Sequence, residues 1–150
     1  MTDLVLQAGP AVFDSAGAGE VFLLARLLFG GVLAFMGLNH FMDIEGMAGY
    51  AEMKGLPAPT FSVVASGAML VLGGLAIITG AFVVLGAGAL AVFLLASAVV
   101  MHDFWTVEDE QQQQTEMTQF LKNVSLAGAA LAFLGLASLP WPYAVDMGLV

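Results

Sequence analysis

The sequence predicts an all-α integral membrane protein, a bundle of four helices. Three observations predict it. The 150 residues are 60% hydrophobic and only 10% charged, with mean hydropathy +0.95. Four apolar stretches, near residues 21–41, 61–79, 82–102 and 120–140, each approach the roughly 20 residues that a helix needs to cross a hydrocarbon core of about 30 Å. The stretches are separated by polar or turn-forming residues, so the spans thread the bilayer alternately up and down. They use most of the chain, leaving residues 1–150 as one transmembrane domain with no room for a separate globular unit.

Residues 1–19 carry no basic n-region and no cleavage pattern. Leu4–Phe13 is mildly apolar but broken by Gly9 and Pro10, which predicts an interfacial or flexible segment. The first span opens after Glu20 and contains Arg26. A cation inside a span must pair, snorkel or face an interior cavity. Snorkelling toward Glu20 is the favoured reading; a buried cation that binds a carboxylate or a partner is the alternative. The span closes on Asn39, His40 and Phe41. A polar loop follows, and GLPAP at Gly55–Pro59 stops any helix.

The second span is rich in small residues and runs almost unbroken into the third. One helix of that length would overshoot the bilayer, so a tight turn is expected near Ile78–Ala81. The third span ends at Met101-His102-Asp103-Phe104-Trp105. Residues 106–119 read as an acidic, Gln-rich loop, whose four consecutive glutamines, Gln111–Gln114, form a solvated linker or an exposed helical turn. The fourth span begins FLKN at Phe120 and stops near Pro140, with Trp141 and Tyr143 placed for an aromatic belt. Small residues recur four apart (Ser62 with Ser66, Ala87 with Ala91, Gly128 with Ala132), a spacing that lets backbones approach closely in lipid.

Charge and composition exclude several function classes. Twelve acidic residues against three basic give a formal net charge of −9, which repels nucleic acid. Dense carboxylates with so few lysines also suit concentrated salt and point to a halophilic source. The chain has no cysteine, so it forms no disulfide and supplies no thiol nucleophile or thiolate ligand. It contains no Gly-rich phosphate loop and no nucleophile triad.

Up–down threading brings the end of the first span, the end of the third and the start of the fourth to one membrane face. That face collects Asn39, His40, His102, Asp103, Trp105, Lys122 and Asn123, the candidate ligand-binding residues. Polar residues at span ends are ordinary, because water and headgroups begin there. Convergence of three termini is what makes this set a candidate pocket. Histidine can shuttle protons near neutral pH, Lys122 and the asparagines can bond a carbonyl oxygen, and aromatic rings can stack on a ring such as a quinone's. Two histidines without a spaced third ligand do not make a metal site. Haem held axially by His40 and His102 is disfavoured by their place at the membrane edge. No catalytic residue can be assigned.

Several segments together resemble the DoxX family of small membrane proteins: ARLLFGGVLAFMGLNHF at Ala25–Phe41, GLP at Gly55–Pro57, LVLGGLAIITG at Leu70–Gly80, HDFW at His102–Trp105 and QFLKNVSLAG at Gln119–Gly128. With the acidic composition, the resemblance suggests a halophilic archaeon. It implies a multi-pass protein of the cell membrane with four helices, associated with redox systems. Relatives include the membrane subunit of a thiosulfate:quinone oxidoreductase, and others partner with a sulfurtransferase and superoxide dismutase. The resemblance therefore implies an accessory or anchor subunit of a quinone-linked oxidoreductase, with membrane or peripheral redox subunits as partners and a homo-oligomer as another arrangement. The alternative is a non-catalytic assembly protein that binds a partner subunit; a small transporter would need oligomers to enclose a path. Family members often carry a glutamate three residues before the paired glycines of the second span. Leu70 stands there in this chain, so an Arg26 that relied on that glutamate would lack its partner.

Overall fold

A computed structural model of the chain describes residues 12–145. The expectation for most of residues 1–19 lies outside the described part. Among the described residues there are five α-helices and one short 3-10 turn, where the sequence predicts four helices. They are α1 (Ala18–Met42), α2 (Ile44–Met53), α3 (Pro59–Thr79), α4 (Val83–Met101) and α5 (Glu110–Gly135), with the 3-10 turn at Phe104–Thr106. Three stretches are long and apolar enough to cross a membrane: Ala18–Met42, Pro59–Thr79 and Val83–Thr106.

Two expected loops are helical instead. The segment after His40 forms α2, started by Asp43, whose carboxylate accepts from the Gly46 amide at 3.1 Å. Residues 110–119 form the polar first turns of α5, started in the same way by Asp109, which accepts from the Gln112 amide at 2.8 Å. The fourth stretch also differs from its predicted extent. Its helix ends at Gly135, and Leu136–Ser138 turn the chain back before Pro140. The apolar part of α5, from Phe120 to Gly135, is then only about 24 Å long at 1.5 Å per residue. Trp141 is not a belt residue: it is 8% exposed and donates its indole N–H to the Leu136 carbonyl at 2.8 Å.

The long helices pack in the order α1, α3, α4, α5, and rings close the bundle where Phe22 and Phe29 of α1 meet Phe133 of α5. The core joins Leu33, Leu70, Ile77, Leu90, Leu94, Ala127, Ala130 and Phe133. Outward-facing side chains such as Val32, Phe35, Leu72, Leu85, Val92 and Leu131 are large and apolar, as a lipid-facing surface requires.

Close approach of α1 and α3 depends on glycines spaced seven apart, rather than on the predicted pairs four apart. Gly30 lies against the backbone of Gly74, and Gly37 against that of Gly67. A Cβ at Gly30 would stand 2.5 Å from the Gly74 carbonyl oxygen; one at Gly37 would stand 2.7 Å from that of Gly67. An antiparallel pair carrying glycine once per two turns on each helix brings two backbones into contact, which no larger residue allows. Gly128, by contrast, has nothing within 4 Å of its Cβ position.

Candidate functional site

The two ends of the bundle carry nearly all of its buried polar chemistry. At one end Arg26 has no exposed surface. It does not snorkel toward Glu20. That carboxylate instead accepts from the Tyr143 hydroxyl at 2.9 Å. The Arg26 guanidinium donates to four backbone carbonyls: Nε to Ile77 at 3.0 Å, one terminal nitrogen to Pro142 at 2.5 Å, and the other to Ile78 at 2.5 Å and Tyr143 at 3.5 Å. The Ile77 and Ile78 carbonyls belong to the last turn of α3, where unpaired carbonyls and the helix dipole concentrate negative charge. Phe22 and Trp141 place their rings 5.9 and 5.3 Å from the guanidinium carbon. Arg26 thus ties the α3 terminus to the returning C-terminal segment, and the Val145 backbone N–H donates to the Thr79 carbonyl at 2.8 Å. Gly80 completes the join. Its φ of +75° suits glycine, and a Cβ there would meet the Ala144 Cβ at 2.6 Å.

A glutamate in place of Leu70 would lie far from Arg26 in this fold. Leu70 is fully buried against Gly37, eleven residues along α1 from Arg26, or about 16 Å at 1.5 Å per residue.

At the other end the helices splay around a cavity of ≈ 650 Å³. Its wall is mostly apolar, with Met36, Phe93, Leu94 and Met101 prominent, and α2 lies across it through Met47, Tyr50 and Ala51. His40, His102, Lys122 and Asn123 all line this one cavity, although they come from α1, the end of α4 and α5. Asn39, Asp103 and Trp105 do not line it. Asn39 serves as a backbone acceptor for Asp43 at 3.2 Å. Asp103 forms an ion pair with Lys54, the residue that ends α2, and also accepts from the Thr106 hydroxyl at 2.9 Å. Trp105 is 53% exposed and packs edge-on against Phe104 and Phe120.

Each cavity histidine is held by its Nδ1. His40 lies 2.9 Å from the Met36 carbonyl oxygen, one turn back on α1. His102 lies 2.8 Å from Oε2 of Glu116. Glu116 is only 7% exposed, and its second oxygen accepts from the Gln112 side-chain amide (Nε2) at 2.8 Å. Sequence reasoning assigned Glu116 to a solvated loop and missed it. The available signal was the capping pattern Asp109-x-x-Gln112, which starts a helix and places Gln112 and Glu116 one turn apart on the same face. Burial works against a charge on Lys54, yet the Asp103 hydrogen bond and the neighbouring Tyr50, Asp103 and Glu116 outweigh it and raise its pKa above the usual lysine value. Among the described residues no three His, Cys, Asp or Glu side chains cluster to hold a metal ion.

The DoxX family model matches residues 21–103, which carry the first three long helices and His40 and His102. The chain belongs to the DoxX family. It is also 30% identical over 120 residues to the inner membrane protein YphA of Escherichia coli (strain K12), a stretch that covers 79% of this chain and 85% of YphA. No solved structure matches this chain. Family membership and three membrane-capable helices make it a multi-pass integral membrane protein.

Proposed function

We propose that this DoxX protein is an accessory membrane subunit of a quinone-linked oxidoreductase and that the His40–His102 cavity holds the quinone ring. The observation that carries this reading is one apolar cavity, roomy enough for a substituted ring, with two histidines and a lysine on its wall. Phe93 and the methionines offer the ring faces and soft contacts it needs. The histidines suit a ligand whose redox change moves protons. A partner subunit gives or takes the electrons, while this chain binds the ring and handles its protons. In this reading α5 crosses as a fourth span through its apolar part, Phe120–Gly135, helped by the turn and returning segment that follow. The acidic surface fits a halophilic source.

The test is purification from native membranes in mild detergent, followed by mass spectrometry of the extracted small molecules and proteins. A quinone or quinol should be retained together with a redox subunit, and His102→Ala should lower ring retention several-fold. Wild-type protein that carries no ring compound would overturn the reading. A non-catalytic assembly role would leave the partner bound and the cavity empty in both forms.

A further inference from the structure

The cavity exists because α3 and α4 diverge. At the Arg26 end the two helices touch along one stripe of each. A Cβ at Gly73 would stand 2.6 Å from the Leu90 Cγ, and one at Gly86 would run into that of Ala76. Followed in steps of seven residues, about two turns, each stripe keeps its direction and loses its cover. On α4, Gly86 is buried, Phe93 is half-buried and Val100 is 41% exposed. On α3, Ala76 is buried, while Met69 and Ser62 are half-buried. Phe93, Val100 and Ser62 all line the cavity. The space between the two separating helices is therefore the cavity itself.

This space is covered on its polar side and open on its apolar side. Across the wide end lies α2, held to the end of α4 by the Lys54–Asp103 ion pair and by the Tyr50 hydroxyl, which donates to the Met101 carbonyl at 3.4 Å. Below α2, Ala96 and Val100 line the cavity and are exposed at the same time. Ala96 stands five residues inside the end of α4, about 8 Å at 1.5 Å per residue, so its exposed flank lies at the depth of acyl chains. Polarity follows the same direction. His40, His102, Lys122 and Asn123 gather near the end beneath α2, whereas Met36, Phe93 and Leu94 line the deeper wall. The serines of α3 bond within their own segment, Ser62 to the Pro57 carbonyl and Ser66 to the Val63 carbonyl, each at 3.0 Å. With its hydroxyls so paired, the α3 wall is compatible with hydrocarbon.

From this shape we infer that the ligand enters sideways from the bilayer, between α3 and α4, and carries a hydrocarbon tail. Its polar ring lies beneath α2, and its tail leaves past Ala96 and Val100 into lipid. The inference rests on the ring-binding role proposed above and adds the ligand's class, a tailed, membrane-dissolved ring compound rather than a water-soluble one. Lipid gives helices no hydrophobic reason to close such a gap, so a chain lying in it exchanges one apolar contact for another. The polar head, meanwhile, gains hydrogen bonds that hydrocarbon does not offer. Ala96 is a specificity-determining position, because its small side chain leaves the exit open.

Binding of two probes to the full-length protein in detergent tests the inference. The probes are trimethylbenzoquinone and the same ring carrying a decyl chain. Detergent takes up the tailed probe more strongly, so affinities are compared between variants for one probe at a time. Ala96→Trp should weaken binding of the decyl compound roughly tenfold, as bulk forced into an occupied path does, and leave the plain ring within about twofold. Val100→Trp, at the same exit, should act alike. Leu95→Trp, on the lipid face outside the cavity, should change neither. Decyl affinity unaltered by both exit variants would overturn the tail path while the ring site stands. Equal weakening of the two probes would set the added bulk against the ring and overturn the path as well. Loss of a co-purifying subunit from Ala96→Trp, with both probes bound as in wild type, would give the gap to a partner helix instead. Failure of the wild-type protein to bind either probe would overturn the ring-binding role itself.

Discussion

The two ends of this bundle treat buried polarity in opposite ways. At the Arg26 end a full positive charge is closed off from solvent, yet its donors are matched to backbone carbonyls and its faces to aromatic rings. At the His40–His102 end the charges are milder, and each cavity-lining histidine keeps one ring nitrogen, Nε2, with no partner among the described residues. A saturated polar group builds structure, whereas an unsaturated one beside a cavity is available for a ligand. Burial alone would have ranked Arg26 first as a functional residue. Counting its partners assigns it to architecture.

Replacing the buried cation breaks that comparison most severely. Arg26→Met leaves carbonyls of α3 and of the Pro142–Tyr143 segment unpaired inside the bundle. A loss of about 3–5 kcal/mol is expected, as when one side of a buried charged network is removed, and so a fall of roughly 10 °C in the melting temperature of the detergent-solubilised protein. Arg26→Lys should recover only part of it, because one ammonium cannot fan across carbonyls on two segments. A melting temperature equal to wild type would show that the carbonyl cage is not what holds the C-terminal segment.

The second perturbation sharpens the contrast from the cavity side. Glu116→Leu removes the partner of the His102 Nδ1–H and of Gln112. It should cost about 1 kcal/mol, the net contribution of a part-buried hydrogen bond, and hence a few degrees at most. Differential scanning fluorimetry of both variants should rank Arg26→Met well below Glu116→Leu. The reverse order would mean that the cavity end, and not the arginine end, carries the fold.

A smaller effect is expected where α2 is tethered across the cavity. Lys54 and Asp103 are only partly shielded, with side chains 18% and 25% exposed, so their ion pair contributes at most about 1 kcal/mol. Lys54→Met should speed amide hydrogen exchange along α2 and leave α3 and α4 unchanged. Because the lysine's pKa is raised on folding, the tether is complete below the unfolded value of about 10.4 and is lost as pH rises through the higher folded one. The variant and wild type should therefore differ in melting temperature at about pH 8 and converge near pH 12. Smallest of all is Tyr143→Phe, which removes a fully exposed bond to Glu20 and should leave the melting temperature unchanged. A clear drop would give the Glu20 end a role that its exposure does not suggest.

Legibility in the sequence followed the solvent. The bounds of α1, α3 and α4 could be read because lipid demands long apolar runs, and the alternation of spans was enough to place His40, His102, Lys122 and Asn123 at one end. Polar segments gave no such signal. Asp43 and Asp109 are ordinary helix-starting residues, but a sequence weighed by hydropathy reads Ile44–Met53 and Glu110–Gln119 as loops, and Glu116 disappears with them. Arg26 was misread for another reason. Its partners are backbone carbonyls, two of them supplied by a C-terminal segment that doubles back after Gly135. Backbone acceptors look the same in every residue type, so no pattern of side chains announces them. The α1–α3 seam shows a third case: glycines seven apart matter because two helices carry them in matching register, and a search for small residues four apart passes over them.

Photoaffinity labelling tests most directly the claim that the open end, and not the sealed one, is the functional site. The intact protein in membranes would be irradiated with an azido-substituted quinol and its peptides mapped by mass spectrometry. The account predicts adducts on Met47–Tyr50 of α2 and on Phe93–Met101 of α4, competed by excess unlabelled quinol. Adducts concentrated around Phe22 and Trp141, or spread evenly over the lipid-facing surface without competition, would contradict it.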